Sequence, residues 1–182
     1  MIRKIIISCI AATSLILFST QAFALINISV GVPLSHTFTG KYNGGDEVKS
    51  DGVSGTFVQI GVPILPGIGM DSYKTKIESD DPFELETMIY NLYYLLPIPI
   101  INLTLGVGTG STTFKCSGCD AYFDKGSASQ WYASFGMPII PLFDLHLSYR
   151  SVSSKIKIKS AGGGGEHDFS GNVMGLGIGF NF

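Results

Sequence analysis

The last twelve residues restrict the possible folds of the chain most strongly. Residues 171–182 read GNVMGLGIGFNF, and every second position from Met174 to Phe182 is apolar. This period of two is that of a β-strand with one wholly apolar face. The opposite face carries glycine, asparagine and one valine, without the charges that usually cover the outer face of a soluble strand. Such a strand is stable in lipid when a closed barrel pairs all of its backbone groups.

The amino terminus has the three parts of a secretory signal peptide. A short basic start precedes an apolar run over residues 5–18, and a small-residue triplet ends at Ala24. The apolar run is shorter than the roughly 20 residues that a membrane-spanning helix needs. We therefore expect a signal peptide over residues 1–24 and one mature domain over residues 25–182.

The composition also favours an exported membrane protein. Charged residues make up 14% of the sequence, against roughly 25% in soluble domains. Beyond residue 24 the chain carries ten basic and fourteen acidic residues, a balance that does not favour nucleic acid binding. No later segment has 18 consecutive apolar residues, so membrane-spanning helices do not explain the low charge. A location in the bacterial outer membrane is the expectation.

Seven further stretches alternate between apolar and small or polar residues. The pattern predicts strands over residues 25–36, 53–62, 68–77, 87–96, 101–110, 128–137 and 143–158, with the eighth at the end of the chain. Polar, turn-rich segments predict longer loops over residues 37–52, 78–86, 111–127 and 159–168.

Proline-rich segments over residues 63–66, 97–99 and 138–141 predict three short turns, because proline fixes φ and removes a ladder donor. Three short turns and four longer loops predict an all-β fold, an eight-stranded antiparallel up-and-down transmembrane β-barrel. The short turns and both termini should then face the periplasm.

The same alternation also fits a soluble lipocalin-like barrel with its apolar faces inward. The outer surface of that barrel would consist of asparagine, glutamine, serine, threonine and glycine, with almost no lysine or glutamate, which is rare for a soluble protein. A membrane barrel explains both faces, and it would place exposed aromatic side chains at the membrane interfaces. These are Tyr90, Tyr94, Trp131, Tyr149 and the two terminal phenylalanines, Phe180 and Phe182.

The terminal strand resembles the closing strand of bacterial outer-membrane barrel proteins, which typically ends in phenylalanine after alternating apolar residues. The resemblance implies that Phe180 and Phe182 belong to a signal read by the outer-membrane insertion machinery. The mature length is similar to the small eight-stranded members of this group. The stretches GVPILPGIGM and INLTLGVG more narrowly resemble a poorly characterised subgroup. The resemblance implies contact with outer-membrane lipid and lipopolysaccharide, but architecture alone assigns no activity.

The interior of an eight-stranded barrel is just wide enough to be filled by side chains. The inward candidates are Asp71, Tyr73, Asn91, Tyr93, Tyr132, Asp144, His146 and Arg150. We expect Asp71, Asn91, Asp144, His146 and Arg150 to form a buried polar network, because an unpaired buried charge would be costly.

His146-Leu147-Ser148 resembles the His-x-Ser element of outer-membrane lipid A deacylases, in which histidine activates the serine hydroxyl. Tyr149 and Arg150 follow where that family has asparagine, and the last strand has no inward glutamate. A non-enzymatic barrel with polar external loops for surface contacts is therefore the first expectation. A lipid A-modifying hydrolase using His146 and Ser148, and a narrow conduit for small apolar molecules, are the alternatives.

Cys116 and Cys119 lie in a predicted loop of an exported chain, where a local disulfide is expected. No second cysteine or histidine pair lies nearby to complete a zinc site. The acidic loop has no EF-hand spacing and is interpreted as solvated surface; its acidic residues are Glu78, Asp80, Asp81, Glu84 and Glu86. The sequence thus predicts no catalytic residue, no metal and no cofactor, and it identifies no external partner.

Overall fold

The structure is a computed structural model that describes residues 26–41, 47–62, 65–79, 83–98, 101–140, 142–160 and 163–181. In chain order its elements are β1 (Asn27–Phe38), β2 (Ser50–Gly61), β3 (Gly67–Ile77), β4 (Phe83–Ile98), β5 (Ile101–Lys115), α1 (Cys119–Tyr122), β6 (Gly126–Ile140), β7 (Phe143–Ile158), β8 (Gly165–Asp168) and β9 (Gly171–Asn181). Among these residues no helix is both long enough and apolar enough to cross a membrane. The expected signal peptide lies outside the described residues.

Eight of the strands form a closed antiparallel barrel. Strands β1 to β7 each pair with the next strand along the chain, and β9 pairs with both β7 and β1. The last strand therefore closes the barrel, because Phe180 is paired with Ile28 on one side and with Phe143 on the other. The short strand β8 pairs antiparallel with the carboxyl-terminal end of β7. The predicted eight-stranded up-and-down barrel is confirmed.

The two ends of the barrel differ in the length of their connections. One end, called the turn end here, contains the beginning of β1, the end of β9 and three short connections, residues 62–66, 99–100 and 141–142. The loop end contains four connections, residues 39–49, 78–82, 116–125 and 159–170, and all of them except 78–82 are longer than any connection at the turn end. This division agrees with the predicted alternation of short turns and long loops.

Several strands are longer than predicted. β4 begins at Phe83, inside the predicted acidic loop, and β5 continues to Lys115, inside the predicted cysteine loop. β8 occupies the end of the predicted last loop. The proline segments also differ from the prediction, because Pro97 lies within β4 and Pro138 within β6. Each is near the turn end of its strand, and the β6–β7 register shifts between Pro138 and Ile140, as is common where proline interrupts a ladder.

Strand β1 contains an irregularity that changes which residues face the lumen. Its register with β9 shifts between Pro33 and Ser35, which adds one residue and inverts the alternation beyond that point. His36 and Phe38 are therefore buried in the lumen. The β1–β2 ladder is also the shortest in the barrel wall and ends at the pair Gly31 and Phe57.

The distribution of apolar side chains inverts partway along the strands, as β7 illustrates. From Phe143 to Tyr149 its outward residues are apolar, whereas its inward residues are polar. Beyond Tyr149 the outward positions carry serine and lysine, and the inward positions include the fully buried Ile156. The turn-end half of β7 thus has the pattern of a membrane barrel, and the loop-end half has that of a soluble one.

The other strands follow the same rule, so the turn-end half of the barrel carries a continuous belt of exposed apolar side chains. The belt includes Val30, Val32 and Leu34 on β1, Val58 and Ile60 on β2, Ile68 on β3, Tyr90, Leu92 and Tyr94 on β4, Leu105 and Val107 on β5, Trp131, Phe135 and Met137 on β6, Leu145, Leu147 and Tyr149 on β7, and Met174, Leu176 and Ile178 on β9. An apolar surface of this extent is unstable in water and stable in lipid.

We predict that a charge placed in the belt destabilises the barrel, whereas the same charge above it does not. Leu147 and Ser153 both face outward on β7, in the belt and above it. Leu147→Lys should lower the free energy of unfolding by about 2–4 kcal/mol, because a lysine would lie in hydrocarbon. Ser153→Lys should change it by less than about 0.5 kcal/mol. Urea titration of the protein folded in lipid vesicles measures both, and equal effects would contradict the position of the belt.

Candidate functional site

The middle of the lumen is crossed by a hydrogen-bonded cluster from four strands. Inward positions of β3, β4, β6 and β7 place Asp71, Asn91, Gln130 and Arg150 side by side. Arg150 Nε donates to Asp71 Oδ2 at 2.9 Å, and Gln130 Nε2 lies 2.5 Å from the same carboxylate oxygen and 2.7 Å from Asn91 Oδ1. The cluster brings the two charges together and fills the cross-section of the lumen.

The Arg150 guanidinium is also enclosed by aromatic rings. Its central carbon lies 3.6 Å from the centre of the Phe57 ring and 5.0 Å from that of Tyr132. Arg150 is 2% exposed, and Asp71 is 0% exposed. The ring faces attract the cation, and the carboxylate neutralises it, so both charges are compensated within the barrel.

A second polar group lies nearer the turn end. Asp144 Oδ2 accepts hydrogen bonds from Asn102 Nδ2 at 2.5 Å and from Asn181 Nδ2 at 2.6 Å. Asn27 Nδ2 donates to Asn181 Oδ1 at 2.6 Å. His146 Nε2 is 3.9 Å from Asp144 Oδ2, a distance that is long for a hydrogen bond.

The expected polar residues therefore lie in two groups. Asp71, Asn91 and Arg150 belong to the middle cluster, whereas Asp144 and His146 belong to the turn-end group. Arg150 lies six positions beyond Asp144 on the extended strand, about 20 Å at the usual rise per residue. Arg150 consequently pairs with an aspartate across the lumen on β3 and not with the aspartate of its own strand.

Ser148 lies between the two groups and is hydrogen-bonded on both sides. Its hydroxyl donates to the Gly175 carbonyl at 3.2 Å and accepts a hydrogen bond from Arg150 Nη1. A small cavity of about 20 Å³ borders this hydroxyl, together with His146, Gln59 and Ser134. Its size is about that of one water molecule. Ser148 and His146 are 7% and 8% exposed, so both lie within the filled lumen.

The loop end is closed by an apolar core instead of a polar one. This core comprises Phe38, Val48, Ile77, Leu85, Phe114, Cys119, Ile156 and Phe169. The Phe169 ring contacts those of Phe38 and Phe114 edge to face, at centroid distances of 6.2 and 4.9 Å. Aromatic pairs of this geometry add to the stabilisation from burial. The lumen is therefore occupied from one end of the barrel to the other.

The disulfide between Cys116 and Cys119 packs against this core. It spans the beginning of α1, and Phe123 beyond α1 returns to the barrel with its ring 4.8 Å from that of Phe114. His167 on β8 lies near the same rings, 6.5 Å from Phe123 and 6.1 Å from Phe169. Partial burial there lowers the pKa of His167 from its usual value, which favours the neutral ring.

Two of the acidic residues predicted to lie in a loop, Glu84 and Glu86, belong to β4 instead. Glu86 is 3.3 Å from Lys115 on the neighbouring strand, and Glu84 is the register partner of Lys76. Asp80 and Asp81 lie outside the described residues. Where the structure describes the chain, no three histidine, cysteine, aspartate or glutamate side chains come close enough to hold a metal ion.

Of the two terminal phenylalanines, Phe180 is partly exposed, and its ring is 4.9 Å from that of Phe143 on the outer face. Phe182 lies outside the described residues. The expected role of both in membrane insertion stays a prediction.

Several lumen residues that make hydrogen bonds were not among the named candidates, and three of them are Gln130, Gln59 and His36. Gln130 bridges Asp71 and Asn91, Gln59 Nε2 donates to Tyr132 at 2.7 Å, and His36 Nδ1 is 2.8 Å from Thr75 Oγ1. The alternation of β2 and β6 does place Gln59 and Gln130 inward, so their signal was present. His36 became predictable only with the irregularity of β1.

The fold, the apolar belt and the filled lumen together define a transmembrane β-barrel of the small, eight-stranded outer-membrane type. No known protein family matches the sequence, and no curated protein matches it. Similar solved structures include Neisserial surface protein A (NspA), with a TM-score of 0.62 and 13% identity, covering 86% of this chain and 97% of NspA. The outer membrane protein AlkL, determined in lipid bilayers, has a TM-score of 0.51 and 15% identity, covering 87% of this chain and 88% of AlkL. At these identities the similarity concerns the fold.

We predict that the buried ion pair stabilises the barrel far more than an exposed one. Asp71→Ala leaves Arg150 without its carboxylate in the lumen and should lower the free energy of unfolding by about 3–5 kcal/mol. Lys115→Ala removes the exposed pair with Glu86 and should cost less than about 1 kcal/mol. Urea titration in vesicles measures both values. If Asp71→Ala and Lys115→Ala had equal effects, Asp71 would not be the counter-ion that the lumen requires.

Proposed function

We propose that the protein is a non-enzymatic integral barrel of the bacterial outer membrane. After export and removal of residues 1–24, it would hold a rigid extracellular surface above the bilayer. The observation that carries this proposal is the continuous filling of the lumen beneath an apolar outer belt. Both NspA and AlkL, by their names a surface protein and an outer membrane protein, have the same fold.

The orientation follows from the lengths of the connections. Outer-membrane barrels have short periplasmic turns and longer external loops, so the loop end would face outward. There the strands continue beyond the belt for several residues, as β7 does from Ser151 to Ile158. The aromatic core and the disulfide hold this extension together. A protruding, well-packed barrel end is suited to surface contacts, and outer-membrane lipid and lipopolysaccharide would surround its base.

The surroundings of Ser148 favour this proposal over lipid A hydrolysis. A catalytic serine needs its hydroxyl within about 2.6–3.2 Å of the base that takes its proton. The Ser148 hydroxyl donates instead to the Gly175 carbonyl, and it accepts from Arg150. His146 and Ser148 also face the lumen, whereas lipid would lie against the outer wall.

The packing of the lumen argues against a conduit, because the middle cluster and the loop-end core leave no continuous passage through the described residues.

The proposal predicts neither conductance nor hydrolysis. Purified protein in planar bilayers should give no current steps above those of the bilayer, because side chains occupy the lumen. Expression in cells should leave the acyl chains of lipid A unchanged in mass spectra, with Ser148→Ala indistinguishable from the unmodified chain. Steady conductance would support the conduit, and a loss of acyl chains abolished by Ser148→Ala would support the hydrolase.

A further inference from the structure

Strands β5 and β6 separate at the loop end before β5 is complete. Their ladder stops at the pair Thr112 and Gly126, whereas β5 continues to Lys115. The segment that joins α1 to β6 follows β7 instead, since the Asp124 amide donates to the Lys157 carbonyl at 3.0 Å. This change of partner leaves a cleft between the end of β5 and the segment.

The backbone holds the cleft open. A Cβ atom at Gly126 would lie 2.4 Å from the Lys155 carbonyl oxygen, so only glycine lets the segment approach β7 this closely without a shift. At the other end of the segment the Lys159 amide donates to the Tyr122 carbonyl at 2.8 Å. Both ends are thus attached to β7, and the cleft does not depend on the conformation of one side chain.

The floor of the cleft is apolar and aromatic. Its volume is about 170 Å³, and Phe114, Cys119 and Phe123 line it. Phe114 and Cys119 are 6% and 3% exposed, because they also belong to the loop-end core. A cavity of about 150 Å³ can hold one benzene molecule, and aromatic walls favour an aromatic ring. The cleft therefore has the size and the lining for one ring.

The rim of the cleft has an excess of positive charge. It carries Lys125 and Lys159 against a single aspartate, Asp124. Lys159 Nζ lies 3.7 Å from Asp124 Oδ1, so these two charges compensate each other. Among the side chains that the structure describes, no carboxylate forms an ion pair with Lys125. A ligand in the cleft thus meets the ammonium group of Lys125, which attracts an anion.

We propose that the cleft binds a small aromatic carboxylate, with its ring against Phe114 and Phe123 and its carboxylate beside Lys125. An aromatic amine of the same size would add a cation to a rim that is already positive. The site goes beyond the proposed function, because surface contacts as such require no cleft for a small molecule. It also does not depend on the side of the membrane that the loop end faces, since the cleft lies above the belt.

Two compounds with the same ring and opposite charges test the proposal. The isotope-labelled protein is folded into lipid nanodiscs, and its amide NMR signals are followed while phenylacetate or phenethylamine is added. We expect phenylacetate to shift the amide signals of Phe123 and Lys125 in a saturable way, with little change at the turn end. Phenethylamine should bind at least about fivefold more weakly, because it replaces an attraction at the rim with a repulsion.

Variants of Lys125 separate the charge from the shape of the cleft. Lys125→Gln should weaken phenylacetate binding about three- to fivefold, the usual contribution of a partly exposed ion pair. Lys125→Glu should invert the preference, so that phenethylamine binds more tightly than phenylacetate. The matched control is Lys157→Gln, since Lys157 is exposed on the outer face of β7, opposite Glu166 and outside the cleft lining. It removes the same charge and should leave the affinity unchanged.

Migration on a detergent gel with and without heating verifies that each variant is folded. Equal affinities for the two compounds would overturn the carboxylate site, as would equal effects of Lys125→Gln and Lys157→Gln. Saturable shifts confined to residues away from the cleft would also overturn it, because the ring would then bind elsewhere.

Discussion

The structure depends on one constraint: a chain that lies in hydrocarbon must pair all of its backbone polar groups internally. The pairing of β9 with both β1 and β7 meets this constraint by removing the open edge of the sheet. Once the wall is closed, each strand has one face toward the lumen and one outward, and its sequence decides which face is apolar at each level. The position of the apolar belt and the packing of the lumen both follow from which face is apolar.

Along a single strand the apolar face changes from the outward side to the inward side. In β7 the outward face is apolar up to Tyr149 and polar beyond it. The inward face is polar up to Arg150 and carries the buried apolar residues Val152 and Ile156 beyond it. The Asp71–Arg150 pair lies at this change of polarity. The barrel therefore combines a membrane-spanning half, held by buried polar contacts, with a loop-end half, held by an aromatic core and a disulfide. A filled lumen in both halves is consistent with a protein that acts through its outer surface.

The sequence predicted the part of the fold that one strand can encode alone. Alternation was sufficient to find the eight strands and the faces of the membrane-spanning half. It failed where polarity inverts, because the acidic start of β4 at Phe83 and the polar end of β5 at Lys115 were interpreted as loops. Alternation within one strand also does not predict which side chains of different strands contact each other. The partner of Arg150 is 79 residues away in sequence, and no property of β7 selects Asp71 over Asp144.

The account is tested most directly by the depth of outward positions along β7. Single cysteines at Leu145, Leu147, Ser151 and Ser153 are labelled with a fluorophore in the protein folded into vesicles, with the native cysteines held in their disulfide. A quencher attached to lipid chains should quench the labels at Leu145 and Leu147, and a water-soluble quencher should quench those at Ser151 and Ser153. Equal aqueous quenching at all four positions would contradict the membrane belt. Lipid quenching that continues to Ser153 would contradict the inversion of polarity along the strand.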